Sequence, residues 1–139
     1  MIKISKSETS PKQQRLFLLL STAILYVFAY KTIHQLAIFN FVSLYILLCS
    51  VLMLVSLIIT FFWKISLHMI GVGGFLGLLF VLSFAQNPLA IQVLPYVILL
   101  AGIVGTSRLY LQAHSPIQIY AGFLVGLGMS TIFLFLFLI

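Results

Sequence analysis

Long apolar runs separated by short polar segments make up most of this chain. The runs are continuous rather than alternating, and they approach the roughly twenty residues that a helix needs to cross a bilayer core of about 30 Å. Backbone polar groups in lipid must be paired within the segment, so runs of this kind form helices. The pattern predicts membrane-spanning helices at about 15–32, 38–62, 66–84, 88–110 and 116–139.

This pattern places the chain in the all-α class, as a polytopic membrane bundle of about five helices. A basic N-terminal tail (1–14) precedes a single transmembrane domain (15–139). "WKIS" at 63–66 is predicted to be a tight hairpin, because one helix through both neighbouring runs would far exceed the bilayer. "AQNP" at 85–88 is predicted to be a turn that opens the fourth helix at Pro88.

Five spans put the N-terminal tail, the "WKIS" hairpin and the loop in "SRLYLQAHSP" (107–116) on the same side of the membrane. Lys64, Ser66 and His68 are therefore predicted to face the same aqueous boundary as Arg108 and His114. Polar chemistry is concentrated on this one face.

The composition supports a membrane protein and bears on its partners. The chain is 63% hydrophobic with a mean hydropathy of +1.30, more apolar surface than a soluble domain of this length can bury. The net charge is +6, because the chain has seven lysine and arginine residues and one acidic residue, Glu8. Four of the cations cluster near the N-terminus, which favours a flank facing anionic membrane lipids over a nucleic-acid surface; they are Lys3, Lys6, Lys12 and Arg15.

The nine glycines all lie in the last three apolar runs. Small residues let membrane helices approach closely, and Gly122 and Gly126 have the small-xxx-small spacing. We expect the last three helices to form a tight bundle, with the first two packed outside it.

The polar residues of the common face have the chemistry of a phosphate site. Arg108 offers a planar fork for phosphate oxygens, and two helix starts nearby add free amides. Of His68 and His114, one could attack phosphorus while the other protonates the leaving alcohol. A metal site is not expected, since Glu8 is the only carboxylate side chain. Taken singly, Arg108 and the histidines are also typical of interfacial anchors.

Two segments resemble the signature motifs of a known family. "SRLYLQAH" (107–114) is Ser-Arg, five residues, then His, with "AG" following at 121–122; "SLH" (66–68) is Ser-x-His at the start of an earlier helix. They resemble the third and second motifs of the type 2 phosphatidic acid phosphatase superfamily. With the flanking "WKISLHMIGVGG" and "GTSRLYLQAH", the chain looks like a compact bacterial subgroup over about residues 60–127.

The resemblance implies an enzyme of the bacterial inner membrane that needs no metal or cofactor. It would hydrolyse a lipid phosphate or polyprenyl diphosphate through a phosphohistidine, with His114 as nucleophile and His68 as general acid. The expected phosphate ligands from these motifs are Arg108 and Ser66, with Ser107 next to Arg108. Lys64, outside the motifs, could replace a cation of the family's first motif.

The chain also departs from the family pattern. Gln118 replaces the aspartate that follows the nucleophile by four residues; its carbonyl can orient the imidazole but cannot stabilise an imidazolium. The family's first motif has only a possible remnant in "KSETSP" (6–11), so the chain is either a shortened member or part of a longer one. The alternative hypothesis is a catalytically inactive relative that binds a lipid phosphate or serves as a small subunit of a membrane complex. A homo-oligomer is also compatible with the sequence, and the side that the site faces is left open.

Overall fold

The computed structural model describes residues 11–35 and 40–138, and these form five helices in succession. The helices are α1 (Pro11–Gln35), α2 (Asn40–Phe62), α3 (Leu67–Phe84), α4 (Pro88–Tyr110) and α5 (Pro116–Leu138). Each is long and apolar enough to cross a membrane. The predicted all-α class is confirmed, and the chain is a multi-pass membrane protein.

The helix boundaries follow the polar segments of the sequence, with one difference at the N-terminus. Helix α1 begins at Pro11 rather than near residue 15, so Lys12 and Arg15 lie on its first turns. Proline suits the first turn because its missing N–H would be unpaired there. Lys3, Lys6, Glu8 and most of the "KSETSP" segment lie outside the described residues.

The turn between α3 and α4 confirms the prediction for "AQNP". Gln86 has a φ of 58°, and the side chain of Asn87 accepts a 3.1 Å hydrogen bond from the backbone N–H of Ala90. Asn87 thereby pairs one of the free amides at the start of α4.

Helices α3 and α5 pack most closely, and glycines make their approach possible. A Cβ atom added at Gly122 would lie 2.7 Å from the carbonyl oxygen of Ser66, and one at Gly126 would overlap the carbonyl oxygen of Ile70. Gly73 faces α5 in the same way. Any larger residue would push the backbones apart, as expected of small-residue packing between membrane helices.

The remaining helices are arranged around this pair. Helix α4 packs on α3 but barely contacts α5, and α1 packs along α2, which touches α3 and α5 at few points. The predicted bundle is confirmed for α3 with α5 and for α3 with α4. The weak contact between α4 and α5 leaves an apolar groove between them.

Candidate functional site

The start of α1, the hairpin before α3 and the loop before α5 meet at one end of the molecule. The ammonium group of Lys64 donates a 2.9 Å hydrogen bond to the carbonyl oxygen of Ala113. The guanidinium group of Arg15 donates to the carbonyl oxygen of Ile65. The common polar face predicted from the odd number of spans is therefore assembled through direct contacts.

Gln118 fixes both the start of α5 and the imidazole of His114. Its side-chain oxygen Oε1 accepts a 3.2 Å hydrogen bond from the backbone N–H of Ser115, and the hydroxyl of Ser115 accepts a 3.4 Å bond from the backbone N–H of Gln118. This reciprocal pair is a capping box. The same Gln118 oxygen lies 3.1 Å from Nδ1 of His114.

This double contact determines which nitrogen of His114 is protonated in the neutral ring. A backbone N–H can only donate, so the Gln118 atom that it meets is the carbonyl oxygen. Nδ1 of His114 must then carry the hydrogen that is donated to this oxygen. The lone pair of the neutral imidazole is left on Nε2, the nitrogen available to attack.

The surroundings of His114 favour the neutral form of its imidazole. Partial burial lowers the pKa of His114 below its ordinary value, and the cations Lys64, Arg15 and Arg108 lower it further, against an opposing contribution from the hydrogen bond to Gln118. A nucleophilic histidine must be unprotonated, so these surroundings favour the reactive form.

Replacing Gln118 with glutamate is expected to raise the pKa of His114 by about one pH unit or more, because the carboxylate stabilises the imidazolium. Glutamate has the same length and is equally suited to a capping box, so the geometry should persist. The change can be measured by NMR titration of histidine-labelled protein in detergent micelles. Because the neutral ring is the reactive one, any activity that depends on His114 should be lost at a higher pH as the solution is acidified.

Gln112→Glu, in the exposed part of the same loop, is the matched control. Equal His114 pKa values in the two variants would contradict the contact between His114 and Gln118.

Arg108 connects the two histidines electrostatically. It lies half-buried in the last turn of α4, close enough to influence the imidazoles of both His68 and His114. Its Nε is buried and has no hydrogen-bond partner in the segments that the structure describes. His68 is the second residue of α3 and is exposed. The structure thus places the predicted arginine within electrostatic reach of both predicted histidines.

The two predicted serine ligands differ in what their hydroxyls do. Ser66 precedes α3 and is 0% exposed, and in the described part of the chain its hydroxyl has no hydrogen-bond partner. An unpaired buried hydroxyl costs about 1–3 kcal/mol, which an incoming oxygen ligand would offset. The hydroxyl of Ser107 donates a 2.7 Å bond to the carbonyl oxygen of Ile103. It would have to leave that carbonyl to donate to a phosphate.

An apolar groove runs from this site along the bundle. The cavity of about 260 Å³ is lined by Met69, Leu109 and Ile119, among others from α3, α4 and α5. These three residues directly follow His68, Arg108 and Gln118 in the sequence. A lipid chain lying in the groove would bring its head to the polar end.

Arg15 is the residue of this site that the sequence analysis missed, since it was assigned to a tail facing headgroups. The structure places it against the hairpin and close enough to affect His114. Two signals were present: the odd number of spans puts the tail on this face, and Lys12 and Arg15 have the i, i+3 spacing of neighbours on a helix.

Neither a metal-ligand cluster in the described residues nor a match to a known protein bears on this site. Among residues 11–35 and 40–138, no group of three or more His, Cys, Asp or Glu side chains lies together. In comparisons with known proteins, no family model, curated protein or solved structure matches the chain.

Proposed function

We propose that the protein is a metal-independent membrane phosphatase that hydrolyses a lipid-linked phosphate or diphosphate through a phosphohistidine at His114. The observation that carries the proposal is the contact of His114 Nδ1 with the side chain of Gln118, beside the cations Arg15, Lys64 and Arg108, which lower the pKa of the imidazole. The resemblance of "SRLYLQAH" and "SLH" to type 2 phosphatidic acid phosphatase motifs supports the same chemistry.

In the first step, Nε2 of His114 attacks phosphorus. A P–N bond forms as the bond from phosphorus to the lipid oxygen breaks, and protonated His68 gives its proton to that oxygen. Arg108 balances the charge on the phosphoryl oxygens, and the hydroxyl of Ser66 donates to one of them. The products are a free lipid alcohol, or a lipid monophosphate from a diphosphate, and phosphohistidine.

In the second step, water hydrolyses the phosphohistidine. His68, now neutral, takes a proton from the attacking water while the P–N bond breaks and its electron pair returns to Nε2 of His114. Inorganic phosphate leaves, and both histidines recover their starting protonation. Arg108 and Lys64 keep phosphate oxygens in position through both steps.

The groove between α4 and α5 supports a lipid as the substrate. Its lining is mostly apolar, and it includes residues adjacent in sequence to His68, Arg108 and Gln118. An alkyl or polyprenyl chain matches it, whereas a soluble phosphate ester would leave it empty. We place the protein in the inner membrane of a bacterium, because the resemblance is to a compact bacterial subgroup.

A second candidate function rests on Gln118. Because a neutral amide cannot stabilise the imidazolium that a carboxylate would, the same pocket suits a protein that binds a lipid phosphate without cleaving it. Such a protein would act as a binder or as a small subunit of a membrane complex.

Phosphate release by the purified chain distinguishes the two functions. The protein in detergent with EDTA is offered phosphatidic acid, phosphatidylglycerophosphate and undecaprenyl diphosphate. We expect release from at least one of them, together with protein-bound phosphate that is labile to acid and stable to alkali, as phosphohistidine is. If a known lipid phosphatase is active in the same micelles and this chain is not, the catalytic proposal is wrong and the binding function is favoured.

A further inference from the structure

A second cavity opens beside the candidate site, between the start of α1 and the end of α2. Its volume is about 320 Å³, and it is lined by Lys12, Arg15, Thr60, Phe62, Trp63 and Lys64. This volume corresponds to roughly ten water molecules at liquid density, enough for a phosphate with part of a glycerol. Arg15 and Lys64 line this cavity and also affect His114, so the two sites adjoin.

Thr60 provides a buried hydroxyl in this cavity that the fold does not pair. The residue is 5% exposed, and its Oγ1 has no hydrogen-bond partner among the residues that the structure describes. One turn earlier on the same helix, the hydroxyl of Ser56 donates a 2.6 Å bond to the carbonyl oxygen of Leu52. Thr106 on α4 is paired with its own helix in the same way. Buried hydroxyls normally have a partner, so Thr60 indicates a ligand atom.

The cations of the cavity also lack carboxylate partners in the described part of the chain. Lys12 donates a 2.8 Å bond to the carbonyl oxygen of Phe61, while Arg15 and Lys64 each bond a backbone carbonyl of the neighbouring segments. Nε of Arg15 is buried, and no atom within residues 11–35 and 40–138 pairs with it. The only acid in the sequence, Glu8, lies outside the described residues. Three cations around one cavity favour an anion with several oxygens.

The position of the cavity indicates where this anion comes from. It lies where α1 begins and α2 ends, at the boundary of the apolar spans. Phe62, 88% exposed, and Trp63 stand beside the cations, and tryptophan is enriched at the headgroup level of membranes. We propose that this cavity binds the phosphate headgroup of an anionic phospholipid, with the hydroxyl of Thr60 and the guanidinium of Arg15 donating to its oxygens. The proposal does not depend on catalysis at His114.

Binding of short-chain lipids tests this proposal. The wild-type protein in neutral detergent is titrated with dioctanoyl phosphatidylglycerol, a phosphodiester lipid that a phosphomonoesterase does not cleave, and binding is followed by the rise in melting temperature. Dioctanoyl phosphatidylcholine and inorganic phosphate are titrated in parallel. Thr60→Val and Arg15→Gln should each weaken phosphatidylglycerol binding by about tenfold or more, the effect of losing one hydrogen bond to a charged group.

Matched variants separate the cavity from general surface charge and from the loss of any threonine hydroxyl. Lys31→Gln and Thr32→Val, near the other end of α1, should bind phosphatidylglycerol as the wild type does. Thr60→Val should melt no lower than the wild type without lipid, since it removes only an unpaired hydroxyl. Unchanged phosphatidylglycerol binding in Thr60→Val and Arg15→Gln would overturn the proposal. So would inorganic phosphate or phosphatidylcholine that binds as tightly as phosphatidylglycerol.

Discussion

Replacing His114 with asparagine is expected to reduce phosphate release from the lipid substrate to background, a loss on the order of 10⁴-fold or more for an essential nucleophile. The amide nitrogen of asparagine can take the place of Nδ1 and donate to Gln118, so the start of α5 should be preserved. What is removed is Nε2, the only atom of this side chain that can attack phosphorus. The acid-labile phosphate bound to the protein should disappear in the same variant.

His34→Asn is the matched control for this experiment. His34 lies in the last turn of α1, at the other end of the bundle, where its ring stacks on Tyr30 with the centroids 5.5 Å apart. It should release phosphate at the wild-type rate. If His114→Asn releases phosphate as fast as His34→Asn does, another group attacks phosphorus, and the proposed role of His114 is wrong.

Gly126→Ala is expected to give the largest loss of stability among single-methyl changes in the chain. The new Cβ would overlap the carbonyl oxygen of Ile70 and lie 2.8 Å from the backbone nitrogen of Gly74. Backbone cannot rotate away as a side chain can, so α3 and α5 must separate. Overpacking of this kind lowers the free energy of unfolding by about 1–3 kcal/mol. For a chain of this size, the melting temperature should fall by as much as about 10 °C.

Gly128→Ala on the same helix provides the control, because a Cβ there meets nothing within 4 Å. Both substitutions should raise intrinsic helix propensity equally, so only the crossing of α3 and α5 distinguishes them. Melting is followed by the loss of the monodisperse peak in fluorescence-detected size-exclusion chromatography after heating. Equal melting temperatures for the two variants would show that the close packing is not required for stability.

Most of the fold could be predicted from the sequence because the polar interruptions are short and chemically distinct. Pro88 and Pro116 open helices where expected, and the "WKIS" segment separates α2 from α3. The glycines of α3 and α5 indicated the closest helix pair. Hydropathy gave no indication that α4 packs on α3 and makes little contact with α5. Both faces of α4 are apolar, so only the shapes of the side chains determine which helix it packs against.

The site was predictable only in part. Sequence spacing and the resemblance indicated His68, Arg108 and His114, and the span count indicated that they share one face. The contact of Arg15 with the hairpin depends on how α1 is docked, which no local pattern specifies. The second role of Gln118, in the capping box, corresponds to the Ser-x-x-Gln pattern at 115–118, which is a sequence signature of a helix start.

The contacts described here between cations and the backbone at the polar end have a consequence for acid tolerance. Lys12, Arg15 and Lys64 bond carbonyl oxygens, and a carbonyl gains no proton as the pH falls. Ion pairs with carboxylates are lost when the acid is protonated, which is a common cause of unfolding at low pH. A fold whose segments are joined through these bonds should therefore stay folded at acidic pH values that unfold proteins stabilised by carboxylate ion pairs.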